Sequence, residues 1–131
     1  MTSAEKAKEQ YFEWQPHDDP DFAPLICGKG TIGGKGRSLL FALRRLRDSG
    51  DPDMSRVKVP RSIYLSIEIF HKFLERVPSL DTLLACGDPE GMERVFLLTP
   101  LPEEVSLRIR QFLADMNDPV VIRSSSRLED D

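Results

Sequence analysis

Apolar residues recur at helical spacing in some stretches of the chain and form short β-branched runs in others. Leu39, Leu40, Leu43 and Leu46 predict a helix over residues 36–48, with Arg37, Arg44, Arg45 and Arg47 on its other faces. Phe70, Phe73, Leu74 and Val77 predict another over 66–77, with Ser66 as its cap and Glu68 in its first turn. A further helix begins at Pro102, which a first turn tolerates, and directs Val105, Ile109, Phe112, Leu113 and Met116 inward until Asn117-Asp118-Pro119 stops it. Two shorter helical pieces, 80–86 and 89–98, fit on either side of Gly87. Residues 25–27, 57–59 and 62–66 read as extended. Val120-Val121-Ile122 reads as a buried strand that delivers Arg123-Ser124-Ser125-Ser126 at its end. Residues 1–24 are polar, with Pro16, Pro20 and Pro24, and read as a leader or linker anchored by Phe12 and Trp14. The alternation predicts an α+β (mixed α/β) layer, with helices packed on a small sheet over 25–131.

Composition narrows the class without naming a function. With 131 residues, 40% hydrophobic and 31% charged, the chain is the size of one domain or a piece of a larger one, and it can bury a core. Cys27 and Cys86 are far apart and lack metal-ligand spacing, so two reduced thiols are expected rather than a disulfide or a zinc site. No apolar run approaches the roughly 18 residues that span a bilayer, and the opening MTSAEKAKEQ lacks a secretory apolar stretch. The expectation is a cytoplasmic chain with no membrane partner.

Charge is segregated along the chain. Residues 28–61 carry nine basic and three acidic side chains, whereas 1–24 carry two and six, and 62–118 carry five and ten. Positive charge coincides with the glycines. Such a segment inside a chain of net charge −4 suits a small phosphorylated ligand better than a nucleic acid, which asks for a broader basic surface.

The glycines form Gly28-Lys29-Gly30-Thr31-Ile32-Gly33-Gly34-Lys35-Gly36, leading into a predicted helix. Glycines admit backbone N–H groups close to a ligand, a helix N-terminus favours an anion, and Lys35 adds a full charge. The same residues would equally serve a turn that needs several positive φ angles. Gly28, Gly30 and Gly33 match the dinucleotide fingerprint by spacing. However, the acids that should end a second strand, Asp51 and Asp53, fall in a loop. The P-loop pattern fails at Lys29 and Gly36. In the second stretch, Arg123 and the hydroxyls of 124–126 could bind phosphate oxygens, or could form a polar turn with a local Arg–Glu pair. His17 and His71 have no partner that suggests nucleophilic or ligand chemistry.

Taken in order, Gly33-Gly34-Lys35-Gly36-Arg37-Ser38-Leu39, Val59-Pro60-Arg61 and VVIRSSSRLED (120–130) resemble the start of a known domain. It is the PEP/pyruvate-binding, ATP-grasp-like nucleotide-binding domain of phosphoenolpyruvate synthase and pyruvate phosphate dikinase. The resemblance covers about residues 25–131 and departs at Pro60-Arg61-Ser62 and at Ser126-Arg127. It implies the N-terminal lobe of an ATP-grasp-like domain, with Lys35 and Arg123 on nucleotide phosphate. Gly33, Gly34, Ser124, Glu129 and Asp130 would be neighbours of the site. It also implies ATP and Mg2+ as cofactors, with the metal ligands outside this chain, and transfer of phosphate to a histidine on another domain. The partners would be the C-terminal lobe and the phosphohistidine domain, absent from these residues. An incomplete lobe of this kind is expected to be inactive alone and to self-associate. The alternative is a non-catalytic regulatory or interaction module that retains the lobe's fold.

Overall fold

The structure, a computed structural model, describes residues 2–125. The described chain divides into two compact units, one of residues 2–26, 32–64 and 124–125, the other of 27–31 and 65–123. Helices and a parallel pair of short strands, β1 (Ile26–Cys27) and β2 (Tyr64–Leu65), make the fold mixed α and β. In each strand the chain passes from one unit into the other.

In the first unit the polar stretch read as a leader contains a helix, α1 (Ser3–Glu13). No residue of α1 is buried, so its apolar pattern gave no warning, but its start is well specified. The N–H of Glu5 donates to Thr2 Oγ1 at 3.2 Å and the N–H of Thr2 to Glu5 Oε2 at 2.6 Å, a reciprocal cap that satisfies two otherwise orphaned donors. The other end is met by α2 (Gly34–Asp48): Arg37 Nη2 donates to the carbonyls of Tyr11 (2.8 Å), Phe12 (3.2 Å) and Trp14 (2.6 Å). The last carbonyls of a helix lack intrahelical donors, and one guanidinium supplies them here.

Further along α2, Arg47 donates to Asp19 at 3.1 Å and to Asp21 at 2.6 Å, and Arg45 to Gln10 at 3.1 Å. Three of the basic residues read as ligand-binding therefore hold 1–24 instead, Arg47 through carboxylates, Arg37 through carbonyls and Arg45 through an amide oxygen. Beneath these contacts, Phe22, Ile26, Ile32, Leu40 and Tyr64 form a buried cluster edged by Trp14, Leu25 and Leu43. Trp14 meets Phe22 edge-on at 5.8 Å.

The second unit contains α3 (Ile67–Leu74), α4 (Leu80–Cys86), α5 (Pro89–Leu98) and α6 (Glu103–Ala114). Its buried cluster is Cys27, Ile69 and Val105, with Ile109 packed against it. Phe73 meets Phe96 edge-on at 5.7 Å, joining α3 to α5.

Three expectations are corrected. Val120-Val121-Ile122 is neither a strand nor buried, with Ile122 95% exposed. A strand needs a partner for its backbone groups, and these residues pair with neither β1 nor β2. Of the extended stretches 57–59 and 62–66, only Tyr64–Leu65 is a strand. Single positions of the inward faces also differ: α3 buries Ile69 and leaves Phe70 exposed, and Leu39 of α2 and Leu113 of α6 face outward, while Leu40, Val77, Val105 and Phe112 are buried as expected. Ile69, Phe73 and Val77 lie four apart, so Ile69 takes the inward place expected of Phe70 while Phe73 and Val77 keep theirs. No described helix is long and apolar enough to cross a membrane.

Candidate functional site

The glycine segment is divided between the units. Cys27–Thr31 belongs to the second and turns through Gly28 (φ 87°) and Gly30 (φ 86°), angles that glycine adopts without the Cβ penalty. Three bonds fasten this turn to the start of α3. The Ser66 N–H donates to the Cys27 carbonyl at 2.9 Å and the Ile67 N–H to the Thr31 carbonyl at 2.8 Å. The Lys29 N–H donates to Glu68 Oε2 at 2.8 Å. The sequence places Glu68 only in the first turn of its own helix; a contact across 39 positions leaves no local signal.

In the first unit Gly33 caps α2 with an extended backbone and no side chain, and no acidic residue occupies the first turn. The dipole and first-turn N–H groups therefore meet no carboxylate of their own helix. The oxygen that does approach comes from Ser125. The Gly36 N–H donates to Ser125 Oγ at 3.3 Å. A Cβ on Gly33 would stand 2.5 Å from the Ser125 carbonyl oxygen. Glycine is required at 33 because the Ser125 backbone lies directly against it.

Gly33, Gly34 and Lys35 thus lie at the α2 N-terminus, with both glycines buried and Lys35 exposed. Ser124 and Arg123 are exposed, and Arg123 is a residue of the second unit. Glu129 and Asp130 lie outside the described residues. Lys35 can neutralise an anion, while the Gly36 amide of the first turn already donates to Ser125 Oγ; in charge these groups fit the phosphates of ATP. For Mg2+ they do not: among the described residues no group of three or more His, Cys, Asp or Glu could hold a metal ion.

Other features of the described residues involve different side chains. Burial pushes the Cys27 thiol up, keeping it protonated and unreactive. A cavity of about 470 Å³ floored by Leu43, Leu46, Met54 and Val57 opens at the C-terminal end of α2. With 15 residues, α2 is about 22 Å long, which separates that cavity from the glycine end. A smaller one of about 280 Å³, between Trp14, Phe41, Arg44 and Arg45, lies against α1.

No family model, no curated protein and no solved structure matches the chain.

Proposed function

We propose that this chain is the nucleotide-phosphate-binding lobe of an ATP-dependent phosphotransferase similar to phosphoenolpyruvate synthase and pyruvate phosphate dikinase. In such an enzyme ATP phosphorylates a histidine on another domain. One observation carries the proposal. Ser125, from the Arg-Ser-Ser-Ser stretch, lies on Gly33 and Gly36 of the glycine stretch, 89 positions away in sequence from Gly36. The two segments that carry phosphate chemistry meet at a helix start whose first turn holds no acid.

Chemically, Lys35 and the α2 N-terminus would oppose the negative charge of a transferring phosphoryl group. Mg2+, when bound, would supply further charge neutralisation from ligands outside the described residues. The lobe itself needs no nucleophile.

Titration calorimetry with MgATP, tripolyphosphate and adenosine tests this reading. Because Lys35 and Arg123 are exposed, phosphate contacts alone give a Kd no better than about millimolar for MgATP. Tripolyphosphate should compete with it and adenosine should not. Adenosine binding without tripolyphosphate binding would refute the phosphate site. A second reading, an interaction module that keeps the lobe's fold, draws on exposed Val121, Ile122, Leu97 and Leu98. It expects neither MgATP nor tripolyphosphate to bind.

A further inference from the structure

Three consecutive residues, Ser66, Ile67 and Glu68, grip the turn at Cys27, Thr31 and Lys29 respectively, at both ends and in the middle. Two grips are backbone bonds, which side-chain substitution leaves in place. The third depends on one carboxylate. The turn is of a kind that needs fastening, because glycine peptides lose more freedom on ordering than any others. It also lies flush on α3: a Cβ on Gly28 would stand 2.7 Å from Ile69 Cγ1. Lys29, between the two glycines, is exposed. Glu68 is steadied in turn by Lys72 at 3.5 Å, whose Nζ also reaches Glu104 at 2.9 Å.

We infer that Glu68 is a positioning residue for the glycine loop, its carboxylate latching the Lys29 amide and fixing the turn through which the chain enters Gly33–Gly36. The consequence for anion binding rests on the phosphate reading above; the latch itself does not. With the turn fixed in advance, a phosphate ligand does not have to order a glycine-rich segment as it binds. With the latch removed, the ligand bears that entropy, while the backbone bonds at Cys27 and Thr31 keep the chain path.

Amide hydrogen exchange by NMR on the 131-residue chain tests the latch directly in Glu68→Ala, Glu68→Gln and Lys72→Met. In Glu68→Ala the Lys29 amide should exchange about tenfold faster or more, with amides of α6 unchanged. Glu68→Gln keeps a carbonyl acceptor and should stay within about twofold of wild type. Lys72→Met should also stay near wild type, since it removes only the ion pair. Tripolyphosphate affinity should follow the same order, about 3- to 10-fold weaker in Glu68→Ala and restored in Glu68→Gln. The Glu68 side chain is 38% exposed, and alanine suits a helix, so the fold should survive. Should it not, Glu68→Met keeps the length without an acceptor and takes the same measurement.

Unchanged exchange at Lys29 in Glu68→Ala overturns the latch. Tighter tripolyphosphate binding in that variant overturns the pre-ordering consequence, because the carboxylate would then oppose the anion. A wild-type chain that binds no tripolyphosphate removes the phosphate reading and leaves the exchange comparison to decide the latch.

Discussion

Lys35 and Arg123 are exposed, so shortening either side chain opens no cavity in a buried cluster. Any loss of ligand affinity in Lys35→Ala or Arg123→Ala then reports a lost contact rather than a lost fold. Each truncation removes charge-assisted bonds worth about 1.5–3 kcal/mol, or roughly 10- to 150-fold in MgATP affinity. Calorimetry with far-UV circular dichroism separates affinity from folding, and unchanged affinity in both variants would mean the phosphate site is wrongly assigned. Gly33 differs from these two residues. A Cβ there meets the backbone of Ser125, so a substitution changes the path of the chain as well as the ligand.

Helix α2 works at both ends. Its start offers amides to Ser125, and its last turn holds the 3-10 segment Pro16–Asp18 and the residues after it through Arg47, Asp19 and Asp21. The hydrogen bond from Arg47 holds the Asp19 carboxyl below the usual carboxylate range, and does the same for Asp48. A carboxyl whose folded pKa is depressed stabilises the fold above its unfolded value of about 3.9, and that contribution is lost as pH falls through the folded value. Wild type should therefore lose thermal stability below about pH 4, and Arg47→Met should flatten that loss. The variant should be less stable than wild type at pH 7 and indistinguishable from it at the acid end. Melting curves between pH 2 and 7, roughly the range in which carboxyls titrate, check this. A parallel fall in both proteins would show that the Arg47 cluster contributes nothing. Because Arg47 is partly open to solvent, the effect should shrink in high salt.

Across the whole molecule, the two units keep separate buried clusters, and both are small. A considerable amount of apolar surface stays outside them, including Leu97 and Leu98 at 78% and, in an unpaired β-prone run, Val121 at 76% and Ile122 at 95% exposure. Exposed runs of this kind template association. Light scattering of the chain should rise with concentration, and Val121→Lys with Ile122→Lys should suppress that rise without altering the circular dichroism spectrum. A wild-type chain that remains monomeric across the same range would contradict this.

Helices α2, α4, α5 and α6 were readable from the amino-acid order within a residue or two, because their signals are local: apolar spacing, Gly87, Pro89, and a stop at Asp118-Pro119. The glycine and Arg-Ser-Ser-Ser stretches also stand out locally, since donors and charges belong to residue types, and the anion chemistry assigned to them is the proposal made above. Helix α1 went unread because it buries nothing and shows no apolar stripe; its one sign was the spacing of Thr2 and Glu5. Whether Ile69 or Phe70 faces inward, and whether 120–122 is a strand, depends on partners far along the chain. Neighbouring residues of similar hydrophobicity compete for one face, and a strand forms only where another lies beside it. The meeting of Ser125 with Gly33, of Glu68 with Lys29, and of Arg37 with the end of α1 were folding outcomes of the same kind. Each joins groups whose local sequences carry no mark of the other, because a hydrogen bond depends on distance in space and is indifferent to distance along the chain.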